Sequence, residues 1–494
     1  MSEYADAVVV GSGPNGLAAA VTLARAGLAV TVYEQADRAG GGLRTAERTL
    51  PGFRHDICSA VHPMALASGF FRSFGLAERV PMIVPEISYA HPLDNQRAGI
   101  AYLDLERTVD GLREDGPAWR SLMKPLVDHA DHVARITGSS LLRVPRHPVT
   151  MARFGLRALE QGLPTWNARF MNDEAPALLT GVAAHTMHPL PDFVAAAAGL
   201  TLAAHGHAGG WPVPRGGSQA IADAMIDDIR EHGGTIETER RIEHIRELPN
   251  ARAMIFDVGP HALRTIVGDR FSNSYAHRLS QFRYGDGAAK VDFALSAPVP
   301  WDVPELVDAG TVHLGGTRAE IARAESLVAS GVHPDEPYVL VAQPSSLDAS
   351  RAPEGQHTLW AYAHVPRGST VDPTEMVTKM IERFAPGFRD TILASSAMNA
   401  AEMEEYNPNY VGGDIASGAA SLRQLIARPT LSFDPWRTPA RGIYLASAST
   451  PPGPGVHGLA GAYAARSALR HEFGIRTMPS LRPSAHQRTR IEHS

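Results

Sequence analysis

The chain has 494 residues, more than one hydrophobic core usually serves, so two domains are expected. Its 44% apolar, 7% aromatic and 20% charged residues describe an ordinary globular protein and exclude wholesale disorder, a collagen-like rod or a small disulfide scaffold. A net charge of −6 leaves no polycationic surface to bind nucleic acid by counterion release, and the single cysteine, Cys58, excludes an intrachain disulfide or a thiolate metal cluster.

In chain order, residues 1–6 carry no basic stretch ahead of a signal-type apolar core, and no run of 18 uninterrupted apolar residues follows. A cytoplasmic protein is expected. Residues 7–10 form a short strand, residues 14–27 a helix with Pro14 in its first turn, and residues 28–34 a second strand. Between about 76 and 205 the apolar spacing is helical and broken by proline joints; residues 193–204 are too short to span a bilayer and predict a buried helix. Gly216-Gly217-Ser218 opens a helix through His232, with strands predicted at 235–239, 241–248 and 253–258. Further strands are predicted at 289–296, 338–343 and 358–364, then a last strand at 442–446 and a helix at 460–473. Residues 476–494 are polar and predict a mobile tail.

The densest chemical signal is Gly11-Ser12-Gly13-Pro14-Asn15-Gly16 between the first strand and first helix. Gly11 permits the tight turn, Gly13 lets a pyrophosphate approach the backbone, and Gly16 allows close helix–strand packing. The helix N-terminus offers N–H groups and a positive dipole end to phosphates. Glu34, 21 residues after Gly13 with Gln35 beside it, can accept both ribose hydroxyls and would repel a 2′-phosphate. Strand, glycine triplet, helix, strand and acid in this order predict a dinucleotide site.

Asp37-Arg38-Ala39-Gly40-Gly41 follows, and here the sequence resembles the flavin amine oxidase and phytoene desaturase superfamily. The resemblance implies FAD, bound non-covalently, with Arg38, Gly40, Gly41 and Gly42 beside its pyrophosphate and Arg44 as a candidate phosphate partner. Gly442 to Gly458 is similar to the closing FAD motif of phytoene desaturase-like proteins, with Ser447 where glycine is usual and Ala448 where many relatives carry an acid. That implies a flavin ring near Ser447 and Ala448, with backbone N–H groups of Val456 and His457 at its carbonyl edge. In the segment after Gly216-Gly217-Ser218, Ile242 matches the residue that holds the adenine edge, and the hairpin usual before the next strand looks trimmed. Lys290, at the start of an apolar strand, resembles the amine-oxidase lysine that holds a water against the flavin; the simpler alternative is a strand-end lysine reaching solvent. His457 is a candidate proton-transfer group, or serves only through its backbone. The histidines show no metal-ligand spacing, no Gly-x-Ser-x-Gly elbow is present, and Cys58 reads as a plain buried cysteine.

The expected fold is α/β: a Rossmann-type FAD-binding domain from residues 1–75, 206–271 and 426–475, with an inserted mixed α+β substrate domain from 76–205 and 272–425. The resemblance implies an FAD-dependent oxidoreductase removing hydride from a hydrophobic polyene, isoprenoid or lipid-like small molecule to create unsaturation. A redox-neutral isomerase, an amine oxidase and a non-catalytic flavin-binding partner protein are alternatives. No nucleic acid and no metal are expected, and peripheral contact with a membrane stays open.

Overall fold

A computed structural model describes residues 5–483. Two sheets organise it. The first has five parallel strands in the order Ile443–Leu445, Ala253–Phe256, Ala7–Val10, Val30–Tyr33, Thr235–Glu237. Its central strands are apolar throughout and buried on both faces, as parallel strands covered by helices must be. The helix Pro14–Arg25 crosses from the first strand to the second and is buried from Asn15 to Ala24. The helices Gln219–Glu231 and Leu459–Glu472 flank it, so segments more than 200 residues apart converge on one helix.

The second sheet has seven strands, in the order Ile392–Met398, Gly287–Leu295, His357–Val365, Val339–Ala342, Val312–Leu314, Ile87–Leu93, Arg97–Tyr102. It is antiparallel except where Val312 pairs with Ala90. Val291, Phe293, Leu359 and Ala361 point to one face, packing with Val377, Ile381 and Phe384. Alternation sends Trp360 and Tyr362 to the opposite face, with Leu340. A layer of helices, among them Pro148–Gly162, Glu174–Ala183 and Phe193–Ala208, builds a third core around Trp119 and Trp211. The mixed α/β architecture with a parallel Rossmann-like core is the one the sequence predicts.

Three local expectations need correction. Residues 241–248 form no strand: Glu247 accepts the His244 N–H at 2.7 Å and the His244 ring accepts from Arg246, a capping pair that coils the chain into the short turn Ile245–Glu247. The hairpin at Ile87–Leu93 and Arg97–Tyr102 lies where only helices were expected. Its turn places Asn95 and Gln96 at φ 62° and 58°, a geometry usually announced by glycine. In the predicted tail, Leu481 is buried in the first core and Pro483 lies against Gly75, so the chain is anchored that far; residues 484–494 lie outside the described residues.

Glycine decides the tightest contact. A Cβ on Gly461 would lie 1.8 Å from the carbonyl oxygen of Asn15, inside the first helix. Gly461→Ala should therefore push the two helices apart and lower stability by about 1–3 kcal/mol or more. In contrast, Gly155→Ala, where a Cβ meets nothing within 4 Å in mid-helix, should raise stability by about 0.5–1 kcal/mol. Thermal melts of the two variants check this; equal melting temperatures would contradict it.

Candidate cofactor and substrate site

A cavity of about 990 Å³ runs from the glycine loop to the second sheet. Gly11, Gly13, Pro14 and Asn15 line it beside Glu34 and Gln35. Gly41, Gly42 and Arg44 enter from the diglycine loop, Ile242 from the 3₁₀ turn region, and Ser447, Ala448, Val456 and His457 from the last loop. These sequence-predicted residues, drawn from four stretches of chain, thus share one wall.

The wall is built by backbone proximity. Gly11 has φ +96°, and a Cβ on Gly16 would sit 2.1 Å from the Gly11 carbonyl oxygen, so Gly16 acts by helix–strand packing without lining the cavity. Gly41, at φ +55°, would drive a Cβ to 2.8 Å from the Cα of Gly13. The two glycine loops therefore touch. Glu34 locks them: its Oε2 accepts the Ser12 N–H at 3.0 Å and the Ser12 hydroxyl, whose oxygen accepts Gly40 N–H at 3.1 Å, while Oε1 accepts Ala36 N–H at 2.9 Å. Gly40 serves this contact and stays off the cavity wall.

Several further residues complete the wall. Asp257 follows the strand Ala253–Phe256, is buried, and its Oδ2 accepts Gly16 N–H at 2.8 Å. Burial pushes its carboxyl up to about 7, the charge of Glu34 adds, and the Gly16 bond opposes. The buried Arg428 donates to the carbonyls of Ala448 at 2.9 Å, Ala416 at 3.1 Å and Ser417 at 3.2 Å. Burial lowers it to about 10, so it stays charged, and its acceptors are all neutral. Asn409 accepts Gly259 N–H at 2.9 Å. Asp257 and Arg428 carry no sequence signal, because each reaches the wall only through tertiary packing; Asn409 belongs to residues 407–414, a stretch that resembles phytoene desaturase-related oxidoreductases.

Besides Gly16 and Gly40, two predicted residues do not reach the cavity. Arg38 turns outward, half-exposed, 3.7 Å from Asp223. Arg44 does reach the wall, its Nε donating to Gly41 at 3.1 Å and its guanidinium 4.2 Å from the Tyr406 ring. Lys290 is buried, but its ammonium donates to Asp292, two residues along the same face of the strand, and stays off the wall. Burial lowers the lysine and raises the aspartate, each opposed by the attraction between them. His457 is on the wall with both ring nitrogens engaged: Nδ1 accepts Leu459 N–H at 3.1 Å and Nε2 donates to Gly453 at 3.1 Å. Burial lowers it to about 4, leaving a neutral clamp on the last helix and a poor proton carrier.

At the far end the wall changes character. Leu340, Trp360 and Tyr362 from the sheet face Phe193, Val194 and Ala197 from the helix Phe193–Ala208. His185 is an ionisable group beside them; its Nε2 lies 2.8 Å from Nε2 of the buried His313. Burial lowers His185 to about 3 and His313 well below its usual range, so both imidazoles are neutral and one donates to the other. The carboxylates on the cavity wall, Glu34, Glu243 and Asp257, all stand at the nucleotide end.

Residues 9–72 match the NAD(P)-binding Rossmann-like domain model. The rat pyridine nucleotide-disulfide oxidoreductase domain-containing protein 2 is 26% identical over 95% of this chain and 94% of its own. Phytoene dehydrogenase of Streptomyces griseus is 26% identical over 78% of this chain and 77% of its own. A putrescine oxidase redesigned in its cofactor binding shares the fold, at 17% identity and TM-score 0.59 over 94% of this chain and 98% of its own. These relatives and this fold neighbour are oxidoreductases of the flavin-dependent type. The residues of this chain fit a flavin nucleotide: a glycine cradle that a Cβ would fill, and the buried Oδ1 of Asn15, on the cavity wall with no protein partner.

The two buried acids Asp257 and Asp292 make this site testable. The folded chain holds the Asp257 proton to about pH 7, whereas an unfolded chain releases it near 3.9. Stability falls as pH rises through that window, so Asp257→Asn should be the more stable apoprotein at pH 8, by up to about 4 kcal/mol. Ionised Asp257, on the cavity wall beside the glycine loop, would repel the phosphates of a bound nucleotide, so flavin affinity should weaken from pH 6 to pH 9 and stay flat in the variant; calorimetric titration decides. Lys290→Met strands the Asp292 carboxylate in the interior and should lower stability by about 3–5 kcal/mol, which adding Asp292→Leu should largely restore. Chemical denaturation of the single and double variants reads both.

Proposed function

We propose that the protein binds one FAD non-covalently and removes hydride from a C–H bond of a hydrophobic, uncharged substrate to introduce unsaturation. The observation that carries this reading is the division of the cavity. Its nucleotide end gathers the glycine loops, Glu34 and Arg44, while its sheet end presents apolar and aromatic side chains with the neutral imidazoles of His185 and His62. An ammonium substrate would have no carboxylate there to replace its hydration, which disfavours an amine and favours an isoprenoid, polyene or lipid-like chain.

A bound flavin would supply the two-electron acceptor. The chain's own residues then bind, orient and exclude water. Glu34 keeps lone pairs for ribose hydroxyls beyond those given to Ser12 and Ala36. Arg44 and Arg428 place two fixed positive charges on the wall. The helix Leu459–Glu472 turns its N-terminus toward the cavity through Val456 and His457, where its dipole favours developing negative charge. Leu340, Trp360 and Tyr362 hold an apolar substrate by burial, and catalysis rests mainly on positioning.

The test is anaerobic mixing of the flavin-loaded protein with isoprenoids, polyenes, fatty acyl compounds and amines while the flavin absorption is followed. Bleaching with a lipophilic, uncharged compound and formation of a new double bond is the expected result. Bleaching with amines alone would overturn the substrate class. A shifted double bond without net bleaching would make the enzyme a redox-neutral isomerase. Acid should release intact FAD; flavin retained on the denatured chain would contradict non-covalent binding.

A further inference from the structure

We propose that the face surrounding the cavity mouth docks on an anionic phospholipid bilayer, so that a lipophilic substrate passes from the lipid into the cavity. Two cavity-lining segments carry this face. Met151, Phe154 and Gly155 line the cavity from the helix Pro148–Gly162, and Ser421 and Leu425 line it from the helix Leu422–Ile426 and its cap. Both helices pack on the helix Phe193–Ala208. Arg143 joins the two sides, its guanidinium 5.1 Å from the Trp436 ring centroid.

The outer surface of these segments is apolar where a water-facing helix would be polar. Val149, Leu156 and Leu159 recur at helical spacing on the exposed side of Pro148–Gly162, opposite the buried Thr150, Phe154 and Ala158. Leu156 is 66% exposed, and across the mouth Leu431 is 70% and Phe433 80% exposed. Of sixteen exposed large apolar residues among those described, ten fall between residues 144 and 171 or between 422 and 433. Such clustering marks an interaction surface, whereas scattered exposure would mean nothing.

Charge selects the partner. Residues 132–159 and 415–433 contain no aspartate or glutamate. Arg146, Arg153 and Arg423 are exposed there and form no ion pair among the described residues, so these two acid-free stretches carry net positive charge. Asp434, just beyond, accepts from Ser467. A second copy seated on this face by a two-fold axis would bring arginines against arginines, with Glu160, already paired with Arg169, as the acid within the patch. A bilayer carrying anionic headgroups satisfies both features, because apolar side chains enter the acyl boundary while arginines remain among phosphates.

The docking does not depend on the substrate class, whereas the delivery route rests on the hydrophobic substrate proposed above. The experiment is co-sedimentation of the flavin-loaded full chain with phosphatidylcholine vesicles, with and without phosphatidylglycerol. Binding is expected to the anionic vesicles, weakening several-fold in high salt. The double variant Leu156→Glu, Phe433→Glu touches no cavity-lining residue and should lower partitioning by at least about tenfold. Its flavin content and melting temperature should match the parent. A parent protein that stays in solution with both vesicle types, or binds both equally, overturns the anionic docking. Unchanged binding by the double variant overturns this choice of face, as does light scattering showing a dimer that the variant dissolves. Vesicle binding without flavin bleaching by any lipophilic compound would leave the docking standing and remove the substrate reading.

Discussion

The structure depends on how closely other backbone packs against the helix Pro14–Arg25. At its start Gly16 meets the Gly11 carbonyl, and beside it Gly461 meets the Asn15 carbonyl, each at a distance that excludes any side chain. These contacts fix the helix N-terminus at the cavity and bind the last helix to the first. Because the strand Ala253–Phe256 also docks here and brings Asp257 to Gly16, three stretches of chain distant in sequence are held in register around one set of N–H groups. Loosening this packing would disperse the cofactor wall without touching a single predicted ligand.

The same packing sorts polarity along the cavity. Glu34 is compensated by backbone N–H groups, Asp257 is lifted toward neutrality by burial, and Arg428 is surrounded by carbonyls. Each is a device for keeping a polar group at a buried nucleotide end at tolerable cost. The sheet end needs none of these, since alternation along the strand His357–Val365 already turns Trp360 and Tyr362 inward. Even there the neutral His185–His313 pair satisfies its polarity internally. A cavity with one highly compensated end and one dry end suits a charged cofactor meeting an uncharged partner.

What was legible in the sequence was local. The strand, glycine triplet, helix and Glu34 fall within 30 residues, and their spacing alone dictates their geometry. The closing loop with Val456 and His457 was legible through family resemblance. Asp257 and Arg428 were not, because their roles exist only once separate segments meet. Arg38 illustrates the opposite failure: the right residue type stands in the right motif, yet the turn aims it at Asp223 and leaves Arg44 on the wall. Lys290 stands out by rarity and strand position, but only the structure shows that Asp292 engages its ammonium. The hairpin after Ile87 escaped because Asn95 and Gln96 adopt positive φ without the glycine that normally signals it.

The helix Pro148–Gly162 shows why periodicity alone cannot assign a partner. Its inward residues Phe154 and Ala158 are apolar because they face the cavity and the helical core, and its outward residues Val149, Leu156 and Leu159 are apolar as well. A helix apolar on two sides ordinarily indicates complete burial, yet the outward side lies open. Stability gives no reason for the outer stripe, since a polar residue there would cost the fold little. The outer stripe therefore answers to something beyond the fold. Its position beside residues that line the cavity ties that second requirement to access: the same helix that closes the dry end of the cavity presents an oily surface at its mouth. For an uncharged substrate with little solubility in water, a continuous apolar path from the outside surface to Trp360 and Tyr362 removes the step of crossing bulk water. The unpaired arginines around the stripe then set which surface the path opens onto.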